Sequence, residues 1–280
     1  MATRAASRYY VAASTAASID LQPEVSAYAS AASPGGRIAR LITDHPFMHR
    51  LRQRGEYLFR TGDNFQYLYV LGSGFAKTCC VTENGAQQTT GFHLRGDILG
   101  LDAVATDHHV CDAVALDTCD VLAIPYDIVI ACSQRNPDQV SELYRAFSAE
   151  IRSDREHMLN IRNLPAAGRV AAFLLETSVR LAARGFSATK LTMRLTREEI
   201  GSMLGLKLET VSRTFSRFAQ LRLIDVCIRE ITLLDSAGLR DVVTQQSATE
   251  YDQVGCRSRY APPETPGIVN AIQLVAGTST

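Results

Sequence analysis

The sequence lacks long apolar runs, an excess of charge of either sign and the cysteine pattern of a secreted protein. No stretch approaches the roughly 18 apolar residues that a membrane-spanning helix requires. The N-terminal 30 residues contain no continuous apolar segment of the signal-peptide kind. These absences predict a cytoplasmic protein with no membrane partner.

The seven cysteines are an odd number at scattered positions, which does not fit a disulfide framework and suits a reducing compartment. Adjacent Cys79 and Cys80 should point to opposite faces of a strand, so they cannot both ligate one ion comfortably. Whether Cys79, Cys80 or Cys111 is redox-active stays open.

The formal net charge is zero, which by itself argues against a nucleic-acid partner. The distribution is more informative, because residues 165–247 contain twelve Lys and Arg against eight Asp and Glu. The sequence therefore places a mildly basic C-terminal module on a mildly acidic body.

Short β segments alternate with turn signals between Gly55 and Pro125. The dipeptide Asn84-Gly85 between two such segments indicates a two-residue hairpin, since both central residues of a type I′ turn need positive φ. Many short strands at nearly regular spacing predict a sandwich or a barrel-like roll.

Apolar residues recur at helical spacing from Val140 to Ile161, which predicts a long helix that packs along a partner. We expect this helix to form a homodimer. The predicted dimerisation positions are Leu143, Phe147, Ile151, Asp154, Met158 and Ile161.

Asp154 is the exception in this stripe, because the seam requires an apolar residue there. In a parallel two-fold seam it would face its own copy, and desolvated like charges oppose assembly. Two interpretations stand: a solvated edge position, or a dimer held near its threshold so that a signal can shift it.

Local signals predict two short helices between Leu191 and Ala219. Thr196-Arg197-Glu198-Glu199 is a capping box that begins the first helix, and Gly205 can end it with a positive φ. The following stretch "LIDVCIREITLLD" alternates as a two-stranded ribbon. Helix, turn, helix and ribbon together make the plan of a winged helix-turn-helix.

Glu209, Ser212 and Arg213 should share one face of the second helix. Arg213 can donate two hydrogen bonds to guanine, Glu209 can accept from the cytosine amino group, and Ser212 can serve several base edges. The alternative is an ordinary surface ion pair between Glu209 and Arg213. The surrounding helix-turn-helix pattern favours base reading.

The stretch "LTREEIGSMLGLKLETVSRTFSRFAQLRLIDV" closely resembles the helix-turn-helix of the CRP/FNR family of bacterial transcription regulators, and of its FNR branch in particular. The resemblance continues upstream through "GEYLFRTGDNFQYLYVLGSGFAKT" and covers roughly residues 50–240. It implies an α+β fold with a cyclic-nucleotide-binding-like β-roll, a long dimerisation helix and a C-terminal winged helix-turn-helix.

The resemblance also implies functional partners. Glu209, Ser212 and Arg213 would read a TTGAT-like half-site, two of which make a palindrome, with Lys207, Thr210 and Arg217 near phosphates. The hairpin at Glu83, Asn84 and Gly85 would contact RNA polymerase. An activator in oxygen- or redox-related control is therefore expected.

The sensor residues of the family are missing from the sequence. Gly100-Leu101 and His109-Val110-Cys111 stand where cyclic AMP binders carry the ribose and phosphate anchors, so cyclic AMP is not expected. No cysteine precedes Cys79, and Cys119 lies three residues from the matching roll position, so an iron-sulfur cluster is not expected either. We expect His108-His109 to be solvated. A role of these histidines as haem ligands stays an open alternative.

Two residues depart from the family in the DNA module. Lys207 replaces a capping Thr or Ser at the start of the recognition helix, and Arg222 replaces a glycine after it, where a positive φ would be strained. His93 is expected to pack within the roll.

The sequence thus predicts a flexible arm over 1–40, a β-roll over 41–133, a dimerisation helix over 134–164, a DNA-binding domain over 165–242 and a flexible tail over 243–280. It shows no metal cluster, nucleophile motif or phosphate loop, so no enzyme is expected. The alternative function is a ligand- or haem-binding sensory β-roll with impaired DNA binding.

Overall fold

The computed structural model describes residues 35–36, 48–82, 85–135 and 137–253. The predicted arm is almost entirely outside these residues, as are Glu83, Asn84 and the tail beyond Gln253. None of the helices within the described ranges is both long and apolar enough to cross a membrane.

Two four-stranded sheets form the N-terminal half. One has the order β1-β8-β3-β6 and the other β2-β7-β4-β5, with every pair antiparallel. The strands are β1 (Met48–Arg52), β2 (Tyr57–Phe59), β3 (Tyr67–Ser73), β4 (Ala76–Val81), β5 (Gln87–His93), β6 (Ile98–Leu99), β7 (Asp112–Ala115) and β8 (Cys119–Pro125). This arrangement confirms the predicted β-roll, although β1 and β6 were not predicted.

Strand β3 shows why the first sheet is apolar on both faces. Side chains alternate along a strand, so Tyr69 and Leu71 face the core between the two sheets. Leu68 and Val70 point the other way, into a second core closed by helices α1 (Tyr126–Arg135) and α2 (Pro137–Asn163). Helix α2 is therefore attached to the roll along its N-terminal half.

The C-terminal half is a helical domain with a small sheet. It contains α3 (Ala166–Ala182), β9 (Lys190–Thr192), α4 (Arg197–Leu204), α5 (Leu208–Gln220), β10 (Ile224–Cys227), β11 (Glu230–Leu233) and α6 (Ser236–Gln253). The sheet order is β10-β11-β9. The predicted tail boundary is wrong, because α6 continues to Gln253 instead of ending at 242.

The hairpin between β4 and β5 differs from the predicted two-residue turn. The Thr82 N–H donates to the Ala86 carbonyl, and the Gly85 N–H donates to the Thr82 carbonyl. Gly85 has the positive φ that the sequence indicated, 79°. The Thr82–Ala86 hydrogen bond closes a loop of three residues, a length at which a glycine in the left-handed region commonly ends the turn.

The roll and the C-terminal domain share one hydrophobic core. Phe92, Leu94 and Leu116 of the roll are buried in the same cluster as Phe173 and Leu174 of α3. Beside this core, Asp97 accepts hydrogen bonds from Arg180 at 2.6 Å, from Arg184 and from the Leu94 N–H. Burial opposes ionisation of Asp97, but the two arginines outweigh it and hold its pKa below the usual range.

We predict that Asp97→Asn lowers the free energy of unfolding at pH 7 by about 3–5 kcal/mol, because it leaves two arginines without their buried counter-charge. A lowered folded-state pKa means that the stabilisation is complete above the unfolded pKa of about 3.9. It is lost as pH falls through the folded-state pKa, so the two proteins should converge in strong acid.

Urea unfolding at several pH values measures this difference. Asp225→Asn, which alters an exposed carboxylate on β10, is the matched control and should change stability little. Equal effects of the two substitutions would contradict the role of Asp97.

Arg222 occupies the left-handed position after α5, as the sequence indicated. Its φ is 55°, its N–H donates to the Ala219 carbonyl, and the Leu223 N–H donates to the Phe218 carbonyl. These two hydrogen bonds form a Schellman motif, in which the left-handed position usually carries glycine.

We predict that Arg222→Gly raises the free energy of unfolding by about 0.5 kcal/mol. Relief of the left-handed strain, about 1–2 kcal/mol, exceeds the entropic cost of glycine, about 0.5–1 kcal/mol. Arg240→Gly, in the interior of α6, should instead cost about 1 kcal/mol. Thermal unfolding of both variants tests the contrast, and a loss of stability in Arg222→Gly would refute it.

Candidate nucleic-acid interface

The first helix of the helix-turn-helix begins and ends as predicted. The Thr196 hydroxyl accepts from the Glu199 N–H at 3.1 Å, and the Glu199 carboxylate accepts from the Thr196 N–H at 2.7 Å. Gly205 ends α4 with φ 64°. These local contacts fix the turn from which α5 departs.

Helix α5 has one buried and one exposed face. Val211, Phe215 and Phe218 are buried in the shared core. Glu209 and Arg213 are exposed, and Ser212 beside them is half-buried. Within the described residues, neither Glu209 nor Arg213 forms an ion pair within 4.0 Å, so both side chains can reach an external partner.

The predicted phosphate contacts surround this face. Lys207 is exposed at the N-cap of α5 and makes no side-chain cap, and Arg217 is exposed one turn beyond Arg213. Thr210 is half-buried, and its carbonyl accepts from the Thr214 hydroxyl at 2.8 Å. A row of cations beside polar side chains is suited to a polyanion.

Arg197 was missed by the sequence reasoning. Its guanidinium carbon lies 3.4 Å from the centroid of the Phe215 ring, so the first turn of α4 stacks on the buried side of α5. Burial lowers the pKa of Arg197. No local signal indicates this pair, because the residues are eighteen positions apart in different helices.

The roll holds α4 through two polar contacts. Lys77 of β4 donates to Glu199 at 2.7 Å, and the Thr89 N–H of β5 donates to the Ser202 hydroxyl at 2.9 Å. Burial opposes ionisation of Glu199, but Lys77 and the cap keep its pKa below the usual range. The DNA-binding surface is therefore tied directly to the sensory domain.

Helix α2 exposes a different stripe from the one predicted. Leu143 is buried in the core of the roll and Phe147 packs against that core, so assigning Leu143 to the dimer seam is wrong. Ile151 and Met158 are exposed as a seam requires, whereas Ile161 is half-buried. The sequence reasoning missed Tyr144, exposed and seven residues before Ile151.

We call the exposed stripe of Tyr144, Ile151, Asp154 and Met158 the α2 seam. Its large apolar side chains are 51–68% exposed. Partial burial raises the pKa of Asp154, and nearby His157 opposes the shift. An apolar stripe with one carboxylate is a surface whose self-association depends on that charge.

The position of the family ligand pocket is filled by the protein's own side chains. His109 is only 3% exposed, which corrects its predicted solvation, and its ring stacks on Phe59 at 3.7 Å. Asp102 lies 3.7 Å from His109 Nδ1. A Cβ added at Gly100 would lie 3.2 Å from the Tyr67 carbonyl oxygen and 3.3 Å from the His109 ring, so the backbone and the imidazole pack closely here.

His93 also packs within the roll, as expected. Its Nε2 lies 3.1 Å from the Thr78 hydroxyl, and burial lowers its pKa to about 4.

Among the described cysteines, those of the roll are buried or half-buried, whereas Cys227 of β10 is exposed. Cys80 contacts the core between the sheets, while Cys79 lies on the Lys77 side of β4, as the alternation predicted. Burial raises the pKa values of Cys79, Cys80 and Cys111. In the described part of the chain, no three His, Cys, Asp or Glu side chains lie together so that they could hold a metal ion.

Comparisons with known proteins agree with this architecture. Residues 50–136 match the cyclic nucleotide-binding domain, and residues 168–242 match the Crp-like helix-turn-helix domain. The transcriptional activator protein FnrA of Stutzerimonas stutzeri is 41% identical over 187 residues, 67% of this chain and 77% of FnrA.

A second relative and a solved structure extend the comparison. The fumarate and nitrate reduction regulatory protein of Vibrio cholerae is 40% identical over 68% of this chain and 76% of its own length. The structure of FixK2 from Bradyrhizobium japonicum superposes with a TM-score of 0.66, at 26% identity, over 71% of this chain and 98% of FixK2. The chain belongs to the CRP/FNR family of DNA-binding transcription regulators.

Proposed function

We propose that the protein binds a palindrome of TTGAT-like half-sites as a homodimer. The observation that carries the proposal is the exposed face of α5, on which Glu209 and Arg213 are not paired within the described residues and Ser212 lies between them. Arginine, glutamate and serine match the donors and acceptors of base edges in the major groove. Lys207, Thr210 and Arg217 contact phosphates.

The α2 seam is the proposed dimer contact. It exposes three large apolar side chains on one face of a long helix, and two such faces bury each other in a coiled-coil-like pair. A two-fold dimer then presents two recognition helices about one helical turn of DNA apart.

We further propose that the regulator activates transcription in the cytoplasm through RNA polymerase, and that it catalyses no reaction. FnrA and a second relative are named transcriptional activators, which supports the direction of control. The hairpin at residues 83–85 is the proposed polymerase contact. Its Gly85 lies at the end of the loop, while residues 83 and 84 are outside the described ranges.

The proposed regulator works without a cyclic nucleotide or an iron-sulfur cluster of its own. The support is the packing of His109 and Phe59 at the ligand position and the raised pKa values of the roll thiols. Fluorescence anisotropy with air-purified, metal-free protein on a TTGAT palindrome and on a scrambled duplex tests this. Equal affinity for the two duplexes, with haem absorption after reconstitution, would favour a haem-binding sensor instead.

We predict that Arg213→Ala removes about 1–3 kcal/mol of discrimination per half-site, because the bidentate contact to guanine is lost. The matched control is Arg217→Ala, one turn along the same helix. It should weaken binding to both duplexes and lower the salt dependence without changing their ratio. If Arg213→Ala distinguishes the TTGAT palindrome from the scrambled duplex as well as the wild type does, the base-reading assignment is refuted.

We predict that Asp154→Ala tightens the dimer by more than about tenfold, since like charges brought together in an interface cost several kcal/mol. Sedimentation equilibrium without DNA measures the dissociation constant. Asp154→Asn keeps the shape without the charge and should show the same direction. An unchanged constant in both variants would leave Asp154 as a solvated edge residue.

A further inference from the structure

The last turn of α4 receives its hydrogen-bond donors from outside the helix-turn-helix. The final carbonyl groups of a helix have no partner within the helix and need donors from elsewhere. In α4 the Gly201 carbonyl is satisfied locally by the N–H groups of Gly205 and Leu206. The carbonyl groups of Met203 and Leu204 accept hydrogen bonds from side chains outside the helix-turn-helix instead.

His157 of α2 supplies one of these donors. Its Nε2 lies 3.0 Å from the Met203 carbonyl oxygen, so this nitrogen carries the proton and donates. The imidazole is half-buried and lies one residue from Met158 of the α2 seam. The helix that forms the dimer therefore contacts the helix-turn-helix through a side chain on its inner face.

Arg169, in the first turn of α3, supplies the donor for the other carbonyl, that of Leu204. Its Nε donates to the Leu164 carbonyl at 2.7 Å, just after α2 ends, and one terminal nitrogen donates to the Leu204 carbonyl at 3.1 Å. A methyl group added at Gly205 would lie 3.5 Å from this guanidinium and 4.0 Å from the Ile161 side chain. The turn therefore rests directly on the end of α2.

We propose that His157 and Arg169, which we call the α2 clamp, are positioning residues that set the distance and angle between the two recognition helices. This inference rests on the proposed binding of a palindrome by a dimer. The clamp fixes the end of α4 to α2, and α4 carries α5 in close contact. A side chain at Gly201 would come within 2.6 Å of the Leu206 carbonyl oxygen and 3.4 Å of Val211.

The consequence is a strict preference for one half-site spacing. Each added base pair moves a half-site by about 3.4 Å and rotates it by about 34–36°. A clamped pair of α5 helices cannot follow that movement without breaking hydrogen bonds at His157 or Arg169. Without the clamp, α4 is released from α2 but stays bound to the roll through Lys77 and Thr89. The pair can then follow part of the movement, at the cost of precision rather than of contact with each half-site.

The test uses palindromes of two TTGAT half-sites with the spacer that the wild-type protein binds best, and with one base pair more or fewer. For each protein, the measured quantity is the affinity for the best spacer divided by the affinity for an altered spacer. We expect this ratio to be at least fivefold smaller for His157→Leu than for the wild type. His157→Gln is the matched control, because it is also uncharged but retains a donor near Nε2, and it should keep most of the ratio. The dimerisation constant cancels within each ratio.

A second variant keeps the test decisive if His157→Leu folds poorly by circular dichroism. Arg169→Lys keeps the charge, but one amine cannot reach both the Leu164 and Leu204 carbonyls as the guanidinium does. We expect the same loss of spacing preference, with affinity for a single half-site changed less than twofold.

The outcomes separate the two levels of the proposal. A wild-type protein that binds scrambled and TTGAT duplexes equally would overturn the proposed function. A wild-type protein that prefers the palindrome, with variants whose spacer ratios match the wild type, would overturn the clamp alone. Equal weakening on every spacer would also overturn it, because that pattern reports a general loss of structure.

Discussion

The carboxylate of Asp97 is the contact on which the relation between the roll and the DNA-binding domain depends. It lies in the loop between β5 and β6 and binds Arg180 of α3 and Arg184 of the turn that follows α3. Holding a largely buried carboxylate costs desolvation, which is offset only while both arginines are in place. Because Phe92 and Leu94 of the same loop region enter the core around α3, the ion cluster and the apolar contact support each other.

This shared core explains how a small helix-turn-helix can present polar side chains without losing stability. The packing of α5 is provided by Val211, Phe215 and Phe218, and its position relative to α4 by Arg197. Glu209 and Arg213 therefore need no structural partner within the described protein. Glu199 differs from these two residues, because its carboxylate accepts hydrogen bonds from the Thr196 N–H and from Lys77. These two internal contacts make it a structural residue and not a DNA contact.

The sequence predicted features that depend on neighbouring residues better than features that depend on distant ones. The capping box at Thr196, the turn at Gly205 and the strained position at Arg222 each follow from a few adjacent residues. Leu143 and Tyr144 show the limit. Both are apolar and adjacent, and only contact with the roll decides that Leu143 is buried and Tyr144 exposed. His109 is similar, since Phe59, fifty residues earlier, buries it.

The contacts within the roll and the exposure of the α2 seam indicate where a regulatory signal can act on the protein. In the described part of the roll, the ligand position is occupied by His109 and Phe59, and burial raises the pKa values of the Cys80 and Cys111 thiols. The α2 seam differs, because its apolar side chains are exposed. His157 lies between the seam and the Met203 carbonyl, and it also interacts electrostatically with Asp154. The proposed dimer contact and the contact that positions the end of α4 therefore lie on the same turn of α2.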